Sequence, residues 1–165
     1  MTTKIYNVLF LCTANSARSV MSEGVLNVLG QGKFKCFSAG SQPSGRVNPH
    51  AIEMLKTIGY DIDSLRSKSW DEFGGSEAPK MDLVITVCGN ARNEVCPFWP
   101  GHPATAHWGY EDPHGETEEE KRAAFEKIFA QIRRRTEYFL SLGELALSPE
   151  NIKETARKVG EFSVE

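Results

Sequence analysis

The stretch Val8-Leu9-Phe10-Leu11-Cys12-Thr13-Ala14-Asn15-Ser16-Ala17-Arg18-Ser19 joins a short apolar run to a loop of small and polar residues, and a helical pattern follows it. The near-continuous apolar character of residues 5–11 predicts a buried strand. Residues 19–29 predict a helix, with Met21, Val25, Val28 and Leu29 on one side and Gly30 or Gly32 to end it. A turn between the end of a strand and the start of a helix collects unpaired N–H groups, which form a nest for a tetrahedral oxyanion. Cys12 and Arg18 stand six residues apart across that turn. The field of the nest is expected to hold the Cys12 thiol largely as thiolate near neutral pH, and Arg18 supplies a permanently charged planar fork for two oxygens. Thr13, Ala14, Asn15, Ser16, Ala17 and Ser19 would line the anion, with Ser19 hydrogen-bonding the thiolate and Asn15 holding the loop backbone.

Outward from this unit, strands and helices alternate. A second strand is expected at 34–39, followed by a Gly-, Ser- and Pro-rich loop from Gly40 to Val47. Asn48 as cap and Pro49 in the first turn open a helix with Ala51, Ile52, Leu55 and Ile58 as its apolar stripe, closed by Gly59. A short helix is expected near Trp70 to Phe73, a strand from Met81 to Val87 ending at Cys88, and a short strand near 104–107. Thr117-Glu118-Glu119-Glu120 reads as a capping box that starts the longest helix, with Phe125, Ile128, Phe129, Ile132 and Phe139 at helical spacing. Arg133-Arg134-Arg135 reads as a solvated face of it. Past Gly143 the chain turns polar, and Ser148-Pro149-Glu150 begins another short helix. This alternation predicts an α/β three-layer sandwich, a four-stranded parallel sheet with helices on both faces. Residues 1–142 form the domain and 143–165 a C-terminal extension. In such folds ligands bind outside the carboxyl ends of the strands, where Cys12 and Cys88 both fall.

The bulk properties narrow the function. A 165-residue chain with 40% hydrophobic and 25% charged residues is an ordinary single globular domain. Its net charge of −3 and pI of about 5.9 argue against nucleic acid as a partner, which calls for clustered surplus Lys and Arg. No apolar run is long enough to span a membrane, and Met1-Thr2-Thr3-Lys4 leads into the first strand with no signal-peptide pattern. The expected location is therefore cytoplasmic, where thiols stay reduced. Cys12, Cys36, Cys88 and Cys96 are then catalytic, metal-binding or buried rather than structural disulfides. Cys88, Cys96, His102, His107 and His114 raise the alternative of a zinc module, although seven residues separate the two cysteines where structural sites usually have two to four. Cys36 reads as a core thiol.

A thiolate that attacks an oxyanion needs an acid for the leaving oxygen. Asp112, in Glu111-Asp112-Pro113, is the candidate, with Glu111 and His114 as rivals. CTANSARS after a first strand, Ser38-Ala39-Gly40, Asn48-Pro49 opening a helix and Asp112-Pro113 together resemble the low-molecular-weight protein tyrosine phosphatase superfamily. Val87-Cys88-Gly89, Cys96-Pro97 and His107-Trp108-Gly109-Tyr110 look like the thioredoxin-coupled arsenate reductases built on that fold. The resemblance spans about residues 4–142.

It implies that Cys12 attacks arsenate, Asp112 protonates the leaving oxygen, Cys88 attacks Cys12, and Cys96 attacks Cys88. The Cys88–Cys96 disulfide passes to thioredoxin or, alternatively, to glutaredoxin with glutathione. An external thiol reductant is then required and no bound cofactor or metal. Phosphate and sulfate would compete with arsenate, and the alternative activity is hydrolysis of phosphate monoesters through a phosphocysteine. The chain departs from the family in three places. Seven residues rather than six separate Cys88 from Cys96, and Ala17 stands where many members carry a cysteine. Some members bind potassium through Asn, Glu, Ser and Asp; Asn15, Glu23 and Ser38 match, whereas Lys68 falls at the Asp position. The Lys68 ammonium is expected in place of the cation, paired with Glu23 and steadying Asn15.

Overall fold

The computed structural model describes residues 4–74, 78–88 and 103–162. Four strands, β1 (Tyr6–Leu11), β2 (Phe34–Ala39), β3 (Leu83–Thr86) and β4 (Ala104–His107), form one sheet in the order β2-β1-β3-β4. All neighbours run parallel, as the buried apolar runs predict. The chain leaves β1 for β2 on one side and returns to β3 on the other. The strand order therefore reverses between β1 and β3, and a crevice opens at their carboxyl ends. Leu11 is in register with Thr86, and Val87 N–H donates to Leu11 O at 2.9 Å. This register sets Cys12 and Cys88 on adjacent strand ends.

The helices are α1 (Arg18–Leu29), α2 (Pro49–Thr57), α3 (Glu118–Ser141), α4 (Gly143–Ala146) and α5 (Ile152–Gly160), with a 3-10 turn at Trp70–Phe73. The expected caps hold: Asn48 Oδ1 accepts from His50 N–H at 2.9 Å, and Thr117 Oγ1 accepts from Glu120 N–H at 3.1 Å. The capping box is displaced by one residue, since Glu120 Oε2 accepts from Glu116 N–H. The face of β1 that carries Tyr6, Val8 and Phe10 meets α1 and α3. Its centre is a chain of rings, Tyr6 on Phe34, Phe34 on Phe139, Phe139 on Trp108 and Trp108 on Phe10, with centroids 5.1–6.1 Å apart. Each fully buried apolar side chain of this kind contributes about 2 kcal/mol. On the other face Phe37, in register with Leu9, packs on Phe73 of the 3-10 turn.

The three arginines expected on a solvated face do not share one: Arg133 and Arg134 face solvent and Arg135 is buried. Arg133 is exposed and pairs with Glu137, but Arg135 is 4% exposed. Arg135 sits three residues after Ile132 and four before Phe139, on the apolar stripe of α3. The expected tail helix is α5, which buries Ile152, Thr155, Ala156 and Val159 against β4 and α3. Tyr6 OH reaches across to Leu147 O at 2.8 Å. Among the described residues no helix is long and apolar enough to cross a membrane.

Candidate active site

The loop from Cys12 to Ala17 is shaped by hydrogen bonds to its carbonyls. Thr13 O accepts from Gln42 N–H, Ala14 O from Ser44 N–H and from Ser67 Oγ, and Ser16 O from Asn48 N–H, all at 2.8–3.0 Å. Asn15, buried, adopts the left-handed conformation with φ of 49°. Asparagine tolerates this region because its amide can hydrogen-bond locally. Here Asn15 Nδ2 donates to Ser19 Oγ at 2.8 Å, while Asn15 Oδ1 accepts from Lys68 N–H at 2.9 Å. Asn15 thus holds the loop as expected, and the hydroxyl of the fully buried Ser19 serves as its anchor. Gly40 lies against the same loop, since a Cβ there would fall 2.4 Å from Thr13 O and 2.6 Å from Cys12 O. Ala17, before α1, offers no side-chain cap to the first-turn N–H groups. Those donors, with the loop's own, suit an oxyanion.

Cys12 is 6% exposed at the base of the loop. Cys88 is its neighbour: Cys88 Sγ lies 3.8 Å from Thr13 Oγ1 and within hydrogen-bonding reach of the Cys12 thiol. The two sulfurs change the electrostatics that the sequence suggested. Hydrogen bonding with Cys88, then burial, push the Cys12 thiol above its ordinary range, while the Arg18 charge and the Thr13 backbone pull it down. The expected depressed thiol is therefore not what this geometry produces, because Cys88 and the dry surroundings outweigh the nest.

Arg18 Nη1 donates to Tyr110 O at 3.0 Å, and its Nη2 lies 3.6 Å from Asp112 Oδ1. Of the three candidate acids, Asp112 is the one paired with the loop arginine; Glu111 and His114 are exposed beside it. The Asp112 carboxyl is 70% exposed, on a segment that follows β4. Cys96 and His102 lie outside the described residues. His107 Nδ1 meets Thr86 Oγ1 at 2.7 Å, and no three His, Cys, Asp or Glu side chains converge as a metal set among the described residues. Cys36 is a buried thiol in β2, pushed well up by burial.

Beneath the loop, Glu23 on α1 accepts from Ser38 Oγ at 2.8 Å and from Tyr60 OH at 3.1 Å. Lys68 Nζ lies 4.0 Å from Glu23 Oε1 and donates to Arg66 O at 2.9 Å. The ammonium therefore faces Glu23 as expected, but Lys68 steadies Asn15 through its backbone N–H rather than its charge. Burial raises the Glu23 carboxyl, and Lys68 works against that; burial lowers the Lys68 ammonium, and Glu23 works against that. Tyr60, Tyr110 and Arg135 were not legible as site residues. The available signal for Arg135 was its spacing from Ile132 and Phe139; Tyr60, which follows the glycine closing α2, carried none.

The family model described as low molecular weight phosphotyrosine protein phosphatase matches residues 7–157. An arsenate reductase of Halalkalibacterium halodurans is 38% identical over 139 residues, 83% of this chain and 96% of its own. Among solved structures, an arsenate reductase in the phosphate binding state superposes with a TM-score of 0.61 at 30% identity, covering 83% of this chain and 98% of that one. The thioredoxin-dependent arsenate reductase of Corynebacterium glutamicum does so with a TM-score of 0.56 at 25% identity, covering 84% of this chain and 63% of that one. The match spans most of this chain and most of the relative's own length, and the chain belongs to the low molecular weight phosphotyrosine protein phosphatase family.

Proposed function

We propose that the protein reduces arsenate to arsenite by a thiol relay in the cytoplasm. The observation that supports this most is the second thiol, Cys88, within hydrogen-bonding reach of Cys12 where β1 and β3 end. Hydrolysis of a phosphate ester needs one nucleophilic sulfur, whereas delivery of two electrons needs a pair that can end as a disulfide.

The thiol of Cys12, held up by Cys88 and burial, gives its proton to the dianionic substrate as it enters the loop. Loop N–H groups from Thr13 to Ser19 and the Arg18 fork hold three oxygens. Cys12 Sγ then bonds to arsenic, and one As–O bond breaks as Asp112 protonates the departing oxygen to water. Cys88 passes its thiol proton to an arsenic-bound oxygen and attacks Cys12 Sγ. The electron pair of the S–As bond stays on arsenic, which leaves as arsenite, and a Cys12–Cys88 disulfide forms. Cys96, assigned by family resemblance, attacks Cys88, frees Cys12 and leaves a Cys88–Cys96 disulfide. An external dithiol closes the cycle: thioredoxin first, on the likeness to a thioredoxin-dependent relative, and glutaredoxin with glutathione second. Glu23, Ser38 and Lys68 support the loop from below, with the Lys68 ammonium serving as a built-in cation. No bound cofactor or metal is required. Residues 143–165 act as an extension of the 1–142 domain.

Phosphate monoester hydrolysis through a phosphocysteine is the second reading, favoured by the family description and by an Arg18–Asp112 pair that suits phosphate equally. Arsenate-dependent NADPH consumption with thioredoxin and its reductase separates the two. Cys88→Ser and Cys96→Ser should each lose at least about 100-fold in turnover, because neither can pass the disulfide outward. Parent-like turnover in both variants would overturn the relay and leave the phosphatase reading.

A further inference from the structure

Arg135 is a buried cation that the reaction described above does not use. Its Nη1 donates to Gly109 O at 3.1 Å and its Nη2 to Phe162 O at 2.8 Å. The guanidinium also lies over the Tyr110 ring, 4.9 Å from its centroid. No carboxylate pairs with it among the described residues. A buried guanidinium held by two carbonyls and a ring is a costly arrangement, and a hydrophobic side chain would fill the stripe of α3 more cheaply.

What Arg135 grips is the segment that carries the acid. Gly109 O is held by Arg135, and the next carbonyl, Tyr110 O, is held by Arg18. Arg18 in turn faces Asp112. Two arginines, one from the anion loop and one from the core, thus fix consecutive carbonyls just before Asp112. The far hand of Arg135 rests on the end of the C-terminal extension. That end is seated by Trp108 Nε1 donating to Ala156 O at 2.8 Å and by Phe162 stacking on Tyr138 at 4.2 Å. It is also seated by the lack of a side chain at Gly160, where a Cβ would lie 2.2 Å from His107 O.

We infer that Arg135 is a positioning residue for the proton-donation step: it ties the extension to the Gly109–Tyr110 backbone and so sets where Asp112 stands relative to Cys12. The inference rests on Asp112 being the acid, and the test separates the two. A double-mutant cycle on the full chain compares Arg135→Met, Asp112→Asn and the combination, reading kcat and KM for arsenate reduction per folded molecule, with folded protein quantified by near-UV circular dichroism. Aryl phosphate hydrolysis replaces arsenate reduction if the thiol test has overturned the relay. Arg135→Met should lower kcat about 10-fold with KM little changed, since misplacing a catalytic group slows the chemical step more than binding. In the Asp112→Asn background the same substitution should cost nothing further. Gly160→Val should reproduce a weaker form of the loss by lifting α5 from His107. Arg135→Lys, which can reach one carbonyl, replaces Arg135→Met if the latter does not fold. Losses that multiply in the double variant, or no loss at all, overturn the positioning role. If Asp112→Asn itself leaves kcat unchanged, the acid assignment fails and this inference falls with it.

Discussion

The two sides of the site are built on opposite plans. The Cys12 loop is buried to half-buried and locally secured: Asn15 and Ser19 have no exposed surface, and three loop carbonyls are held by donors from residues 42–48 and Ser67. The Asp112 segment is exposed at that residue and takes its backbone anchors from far along the chain, from Arg18, Arg135 and, through Arg135, Phe162. The first side can tolerate little, because backbone lies against backbone. The second is held at its carbonyls by long side chains, so a change in either arginine should shift Asp112 rather than force backbone against backbone.

The sharpest way to break this contrast is Gly40→Ala. A Cβ at that position would stand 2.4 Å from Thr13 O and 2.6 Å from Cys12 O, both backbone atoms that no rotamer change can clear. Gly40 is itself pinned, its N–H donating to Lys68 O and its O accepting from Trp70 N–H, both at 2.9 Å. The loop must deform, and we expect at least a 100-fold loss of activity with about 3 kcal/mol of stability. Equilibrium urea unfolding and phosphate binding by calorimetry check both parts. Undiminished phosphate affinity would mean that the loop is less constrained than its contacts imply.

This difference in plan also decided what could be read from the sequence. The Cys12 loop was legible because strand, small-residue turn and helix are contiguous, and each leaves its own local pattern. The sheet followed from the same alternation. The state of the Cys12 thiol was not legible, because its main perturber, Cys88, arrives through the register of β1 on β3 rather than through spacing. The inward turn of Arg135 is hidden for a related reason. In a run of three arginines composition says solvent, and only the three- and four-residue spacing to Ile132 and Phe139 distinguishes the one that turns inward. Lys68 was placed beside Glu23 correctly, but its bond to Asn15 comes from the backbone, which no residue type announces.

Lys68→Met tests how self-sufficient the buried side is. It leaves the backbone bond to Asn15 in place and removes the charge facing Glu23. Burial already raises the Glu23 carboxyl from its ordinary 4.5, and without Lys68 it should rise further. A carboxyl whose folded pKa is raised stabilises the fold below its unfolded pKa and loses that contribution as pH climbs through the folded value. The variant should therefore match the parent near pH 5 and fall about 3 kcal/mol behind it by pH 8, the cost of an unpaired buried charge. Thermal melts across that range read it; a deficit equal at both ends would point to packing instead. With the ammonium serving as the cation, exchanging sodium for potassium should leave the parent's melting temperature and activity unchanged, and a large potassium-specific gain would exclude that role.

The smallest effect should come from Asn48→Ala, which separates two tasks of one residue. Its side chain caps α2 through His50 N–H, and its backbone N–H holds Ser16 O at 2.8 Å. Alanine removes the first and keeps the second. Stability should drop by about 1 kcal/mol, the usual worth of such a cap, while arsenate or phosphate affinity stays within about twofold. If the loop depends only on backbone donors from the 42–48 segment, the anion will not register the lost cap. A parallel fall in affinity would show that α2 must be anchored for the loop to keep its curve, and the buried side would then lean on distant structure much as the Asp112 segment does.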